Sequence, residues 1–187
     1  MTPFGHAAVS YAAGRASPRM SVKAVVAGGL LLDVDFLLSP WSFFDAIHRV
    51  WTHNILFLAL VAAAAAMLSG RERWRVGASV VLGGVLHLFF DAIIDTNPGN
   101  GIGVSVFFPF TSRHFSPFLL PLPEMTTTTT GGWLHPVAQL KAMSSIILWE
   151  VPFYLLALLL YLFQFMTFSN SRKSCCKTTK IKHVVCL

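Results

Sequence analysis

Four stretches of this sequence, 21–38, 54–68, 76–94 and 145–168, are apolar enough to lie in a bilayer, the first interrupted late by Asp33 and Asp35, and they decide the solvent before they decide the fold. Hydrophobic residues make up 55% of the chain and charged ones only 12%, against roughly 25% charged in ordinary soluble domains. Such a chain cannot cover a surface that faces water. With 187 residues it has the length of one domain, and the class expected is an all-α integral membrane protein with about four transmembrane helices. The stretch 145–168 is the longest and most apolar. The alanine-rich stretch 54–68 reaches only about 22 Å at 1.5 Å per residue, short for a hydrocarbon core of about 30 Å.

Lys and Arg beside the spans set the orientation. Arg15, Arg19 and Lys23 precede the first span, Arg71, Arg73 and Arg75 link the second and third, and Arg172, Lys173, Lys177, Lys180 and Lys182 follow the fourth. All three clusters are expected on the cytoplasmic side of a cell membrane, with both termini cytoplasmic and a multi-pass chain between them. Removing the five tail cations takes the formal charge from +6 to +1, so no basic face for nucleic acid remains. No cleavable leader is expected, because the first twenty residues lack an apolar core.

Residues 1–122 read as a helical membrane domain, 123–144 as a Thr- and Gly-containing linker, 145–168 as the last transmembrane helix, and 169–187 as a basic tail. All three cysteines, Cys175, Cys176 and Cys186, lie in that tail. They make no disulfide framework; S-acylation is one reading of them, and a stop-transfer cluster is the simpler account of the tail. From Pro3 to Arg15 a short helix is expected, with Thr2 as N-cap and Pro3 at its first position. Folded back antiparallel on the first span, this helix carries His6 to the level of Asp33 and Asp35.

Ionisable side chains within a membrane need a partner or a task, and here they gather at one end. The orientation puts Asp33 and Asp35, then Asp45, His48, Arg49 and His53, then His87, Asp91 and Asp95, on the outer side, which faces the exterior or the periplasm. His87 and Asp91 are four apart and share a helix face, which Asp95 extends. Asp33-Val34-Asp35 ends a span, where a departure from α-helical geometry turns both carboxylates inward. In His48-Arg49-Val50-Trp51-Thr52-His53 two imidazoles flank a cation and a hydroxyl, and Thr52 is a candidate cap for the second span. Taken singly, these groups also read as a hydrogen-bonded His–Asp pair, as helix-end charges and as headgroup contacts. Taken together, they read as a mixed His/carboxylate site. His114, His135 and His183 read as loop or tail residues.

Those segments, together with Met1-Thr2-Pro3-Phe4-Gly5-His6, Gly84-Val85-Leu86-His87 and Phe108-Pro109-Phe110, resemble the membrane-bound metal-dependent hydrolase family, the YdjM-like inner-membrane proteins. The resemblance covers residues 1–118. It departs at Leu32, where the family usually has Pro before its first acidic residue. The order of an N-terminal His, an Asp, a His and a later His-x-x-x-Asp is also similar to the helical zinc phospholipase C and nuclease folds, an analogy of fold alone. The resemblance implies a membrane-embedded metal-dependent hydrolase.

The expected ligands are His6, Asp33, Asp35, His53, His87 and Asp91, holding one or two divalent ions, zinc first with manganese or iron as alternatives. Arg49, His48 and Asp95 are the expected catalytic residues, with Arg49, joined by Arg113, offsetting negative charge. The substrate expected is a small-molecule or lipid ester or phosphoester, with the aromatic segment around Phe107 as a lipid entry. Two other classes compete: an ion or proton pathway built on intramembrane His and Asp, and a non-catalytic membrane assembly protein.

Overall fold

A computed structural model describes residues 1–38, 40–41, 43–94, 103–116 and 136–178, with the side chains of 45–46, 136–145 and 168–178 set aside. Its elements are helical: α1 (Pro3–Ala16), α2 (Val22–Leu31), a 3-10 segment (Leu32–Leu38), α3 (Phe44–Ile47), α4 (Ile55–Leu68), α5 (Arg73–Ile93) and α6 (Pro136–Thr178). Among the described residues there is no strand, only an isolated bridge between Val104 and Phe115.

Local chemistry accounts for most boundaries. Thr2 caps α1 by accepting from the Gly5 N–H, and Pro3 occupies the first turn, where its missing N–H costs nothing. The cap of α4 is Asn54, whose side chain accepts from the Phe57 N–H while its amide donates to the Val50 and Trp51 carbonyls. Thr52 therefore does not cap this helix as expected; its hydroxyl donates to Asp35 instead. The first apolar stretch stops being α-helical at Leu31 and tightens into the 3-10 segment, which carries Asp33 and Asp35. The last helix begins at Pro136, inside the stretch expected as linker, and continues to Thr178, into the expected tail.

Two helical stretches, Gly70–Ile93 and Ile146–Thr167, are long and apolar enough to cross a membrane, and α4 is a shorter apolar helix. At about 21 Å, α4 does not match a full hydrocarbon core. The expectation of about four spanning helices is thus met by length in two.

α1 and α2 form an antiparallel hairpin, with α5 packed on α2, α4 and α1, and α6 on α1. The α2–α5 crossing is made by glycines: a methyl group on Gly28 would strike the Val80 backbone, and one on Gly83 would strike the Val25 carbonyl and the Gly29 nitrogen. Small residues let helix backbones approach where apolar lipid gives no hydrophobic drive to pack. Ser79 on α5 strengthens the crossing by accepting from the Ser21 N–H at the start of α2. Leu32, Leu58, Ala62, Val80 and Leu88 form one buried cluster between α2, α4 and α5. Met1, Val9, Ile93 and Ile94 form a second, against which Ile146 and Phe153 of α6 pack. The outward face of α6, including Leu155, Leu158, Leu159, Phe163 and Phe165, is exposed.

Candidate metal centre

The hairpin and the glycine crossing bring one end of each helix together: the start of α1, the 3-10 segment after α2, the turn before α4 and the last turns of α5. From these ends come His6, Asp33, Asp35, His48, His53, His87 and Asp91, all buried. Arg15, Lys23 and the Arg71 turn occupy the opposite end, at the close of α1, the opening of α2 and the α4–α5 connection.

Four atoms converge. His53 Nε2 lies 3.0 Å from His87 Nε2, 3.5 Å from Asp33 Oδ1 and 3.3 Å from Asp91 Oδ2. His87 Nε2 lies 3.6 Å from Asp33 Oδ1 and 3.4 Å from Asp91 Oδ2. A tetrahedron of donors bound at about 2.0–2.1 Å has edges of about 3.3 Å, so these separations suit a single small cation.

The hydrogen atoms give a second argument. His87 Nδ1 lies 2.7 Å from the Gly29 carbonyl, which can only accept, so Nδ1 carries the proton and the neutral ring turns a bare Nε2 toward the cluster. Thr52 donates its hydroxyl hydrogen to Asp35 Oδ2 at 3.0 Å and so accepts from His53 Nδ1 at 2.9 Å, which bares His53 Nε2 in the same way. Two bare nitrogens and two carboxylate oxygens then face one another with no hydrogen to share. Only a cation between them relieves the repulsion. Without a metal that cation is a proton: burial lowers the pKa of His53, in the turn before α4, but the hydrogen bonds that the protonated ring donates to Asp33 and Asp91 and the charges of Asp91 and Asp35 outweigh it and raise the value to about 9.

The other expected ligands stand one step back. His6 stacks on the His87 ring, 3.7 Å between centroids, and its Nε2 lies 2.9 Å from Asp91 Oδ1. The Met1 ammonium donates to the same oxygen at 2.8 Å. His6 thus reaches the cluster through Asp91, fixing one of its oxygens while the other points inward. Asp35 lies behind His53, with its Oδ2 3.0 Å from His48 Nδ1. Asp35, His48 and His53 form a second trio with ligand spacing, yet Asp35 Oδ2, His48 Nδ1 and His53 Nδ1 are already linked to one another directly or through Thr52. Asp33 Oδ2 and Asp35 Oδ1 are buried without a hydrogen-bond partner among the described residues.

Arg49 is buried and has a left-handed backbone, φ 65°, a conformation costly for a residue with a side chain and enriched at functional sites. The Ser105 N–H donates to its carbonyl, which ties this turn to the 103–116 segment. Arg113, by contrast, is exposed. Asp95 lies outside the described residues, as do the Asp45 side chain, His135, His183 and the tail cysteine side chains.

Sequence reasoning missed Glu150. This carboxylate is fully buried on α6 and accepts from the Thr2 N–H, from the Thr2 hydroxyl at 2.6 Å and from the Tyr154 hydroxyl. It docks the last helix on the start of α1, next to the His6 turn. Its only signal in the sequence is a single acid within an apolar run.

The family described as YdjM inner membrane protein matches residues 1–170. No curated protein and no solved structure matches the chain.

Proposed function

Because the chain belongs to the YdjM inner membrane protein family, we propose that it is a membrane-embedded, metal-dependent hydrolase of an ester or phosphoester. The observation that carries this reading is the convergence of four hydrogen-free donor atoms from Asp33, His53, His87 and Asp91. In such a set a divalent ion would supply Lewis acidity and make water a nucleophile near neutral pH.

The protein's own groups have separable tasks. Asp33, His53, His87 and Asp91 hold the ion; the Gly29 carbonyl and the Thr52–Asp35 pair orient the two imidazoles, as outer partners do in metal sites. His48, held by Asp35 through Nδ1, is the group placed to relay a proton during turnover. Arg49 supplies the positive charge suited to an anionic oxygen of the substrate. One ion fits this arrangement better than two, since the Asp35 trio is largely bonded within itself.

Zinc matches the spacing, but four protein donors fill a tetrahedral sphere, and a catalytic zinc keeps a position open. Hydrolysis would therefore need an ion that admits water beside Asp33, His53, His87 and Asp91, a role zinc, manganese or iron could fill. The same closure favours a second reading, in which the ion only fastens the helices. Four crossings with both termini cytoplasmic and the site periplasmic are part of the proposal; the basic residues at the opposite end of the bundle support that orientation.

Elemental analysis of the detergent-purified protein tests the metal. Near-stoichiometric zinc, manganese or iron is expected, and it should disappear in a folded His87→Ala variant. Turnover of phosphodiester, phosphomonoester or carboxylic ester probes then separates the two readings. Arg49→Gln should keep the metal and lose turnover, whereas a metal-loaded wild type inert toward every probe would leave the fastening role.

A further inference from the structure

A crevice of about 490 Å³ runs along the outer surface beside the break between α2 and the 3-10 segment. Its volume lies within the range of small-molecule sites. Ala27, Leu30, Leu31, Val34 and Leu37 line it, and all five are exposed. Its one ionisable lining residue is Asp33. The same side chain therefore borders an apolar channel open to the surroundings and contributes Oδ1 to the four-donor set. Its Oδ2 has no hydrogen-bond partner among the described residues, although Asp33 is more than nine-tenths buried.

A second apolar crevice, of about 260 Å³, lies against Phe107 and Phe115, between α4, α5 and the 103–116 segment. No member of the donor set lines it. Sequence reasoning favoured the Phe107 region as the lipid entry, but the crevice that meets the site is the one along α2.

An apolar crevice that opens on the face of a membrane protein and is bordered by a carboxylate of the four-donor set suits an amphiphile. We propose that the substrate is a membrane lipid, with an acyl chain lying along α2 in the Ala27–Leu37 crevice and the ester linkage of its headgroup presented at Asp33. This rests on the hydrolase reading and names its substrate class. The bilayer supplies such molecules directly to the crevice. Exposed Trp41 and Trp51, near the same end, are the residue type that settles at the headgroup level. Cleavage consumes one water: its oxygen bonds to the acyl carbon or phosphorus, the bond to the leaving oxygen breaks, and that oxygen takes the proton. No redox partner is needed.

The test uses the full chain in dodecyl maltoside, loaded with zinc or manganese, and a phosphatidylcholine whose acyl chain carries a diazirine. Photolysis followed by peptide mapping compares labelling along the α2 crevice with labelling on the exposed face of α6 around Leu158. The expected result is an excess at the crevice of about tenfold, the ratio given by about 1.4 kcal/mol of preference. Ala27→Trp and Leu31→Trp, both at exposed positions, should each remove the excess by filling the channel. Val85→Trp, which fills the Phe107 crevice, should leave it intact. Equal labelling of crevice and α6 overturns the proposal and leaves the hydrolase reading standing for soluble esters.

Turnover of matched short-chain and long-chain p-nitrophenyl esters and phosphodiesters is read in parallel. Ala27→Trp should raise KM for the long-chain probe by a larger factor than for the short-chain probe, with the metal content retained. Selective labelling without turnover of any probe would overturn both the hydrolase reading and the lipid as its substrate.

Discussion

Replacing Gly83 by alanine places a methyl group against the Val25 carbonyl and within 2.7 Å of the Gly29 nitrogen. Both obstacles are backbone, so no rotamer change relieves them, and α5 must move away from α2. Overpacking of this kind costs about 1–3 kcal/mol, several degrees in Tm for a chain of this size. The displacement also reaches the metal centre. His87 lies one turn beyond Gly83 on α5, and its 2.7 Å bond to the Gly29 carbonyl spans the same crossing. Lengthening that bond loosens the imidazole, and disturbing an outer partner of a ligand typically costs 10–100-fold in metal affinity. Gly77→Ala is the control, because its methyl group meets the Ala66 side chain at 3.1 Å rather than a backbone atom of α2. Thermal unfolding in detergent and zinc competition against a chelator measure the two effects. A Gly83→Ala protein with wild-type Tm and wild-type affinity would refute the argument that this crossing sets the site.

Asp35→Asn should weaken metal binding by about 10–100-fold while Asp33, His53, His87 and Asp91 all remain, since Asp35 anchors Thr52 and, through it, His53; isothermal titration reads it, and an unchanged affinity contradicts the Thr52 relay. Asn54→Ala removes the cap of α4 and should lower stability by about 1 kcal/mol, seen as a lower Tm. Glu150→Leu leaves the Thr2 and Tyr154 donors unmatched and should cost about 1–3 kcal/mol, with Glu150→Gln milder because it keeps an acceptor; equal Tm values for the two variants would sink this account. Chelation should lower the Tm of the wild type and leave that of His87→Ala unmoved, because an ion that binds only the folded chain stabilises it.

Features written in short-range chemistry were legible in the sequence. Thr2 and Pro3 announced the start of α1, and His87 and Asp91 announced a shared face through their spacing of four. The two carboxylates of Asp33-Val34-Asp35 were expected to turn inward where the helix fails, and both are buried in the 3-10 segment. What escaped depends on partners far along the chain. Thr52 and Asn54 are both good capping residues, and nothing nearby says that Asp35 claims the threonine. Nothing near Gly28 or Gly83 in the sequence advertises that each lies against the other helix's backbone at a crossing. Glu150 looked like part of an apolar run because its partner, Thr2, is 148 residues away. The roles of His6 and Asp35 likewise depend on which side of a ligand each approaches, and spacing carries no such information.

The two histidines of the donor set are held by different kinds of partner, and the difference bears on how each can change. His53 depends on two side chains, Thr52 and Asp35, each of which one substitution can remove. His87 depends on a main-chain carbonyl, which persists whatever residue follows Gly29's backbone into that position. A side chain there meets Ser10, so substitution is penalised by packing before it touches the hydrogen bond. The proton position on His87 is thus inherited from the path of the chain, and that on His53 from its composition. Mutation can retune the second imidazole gradually, whereas the first changes only if α2 and α5 cross in another way.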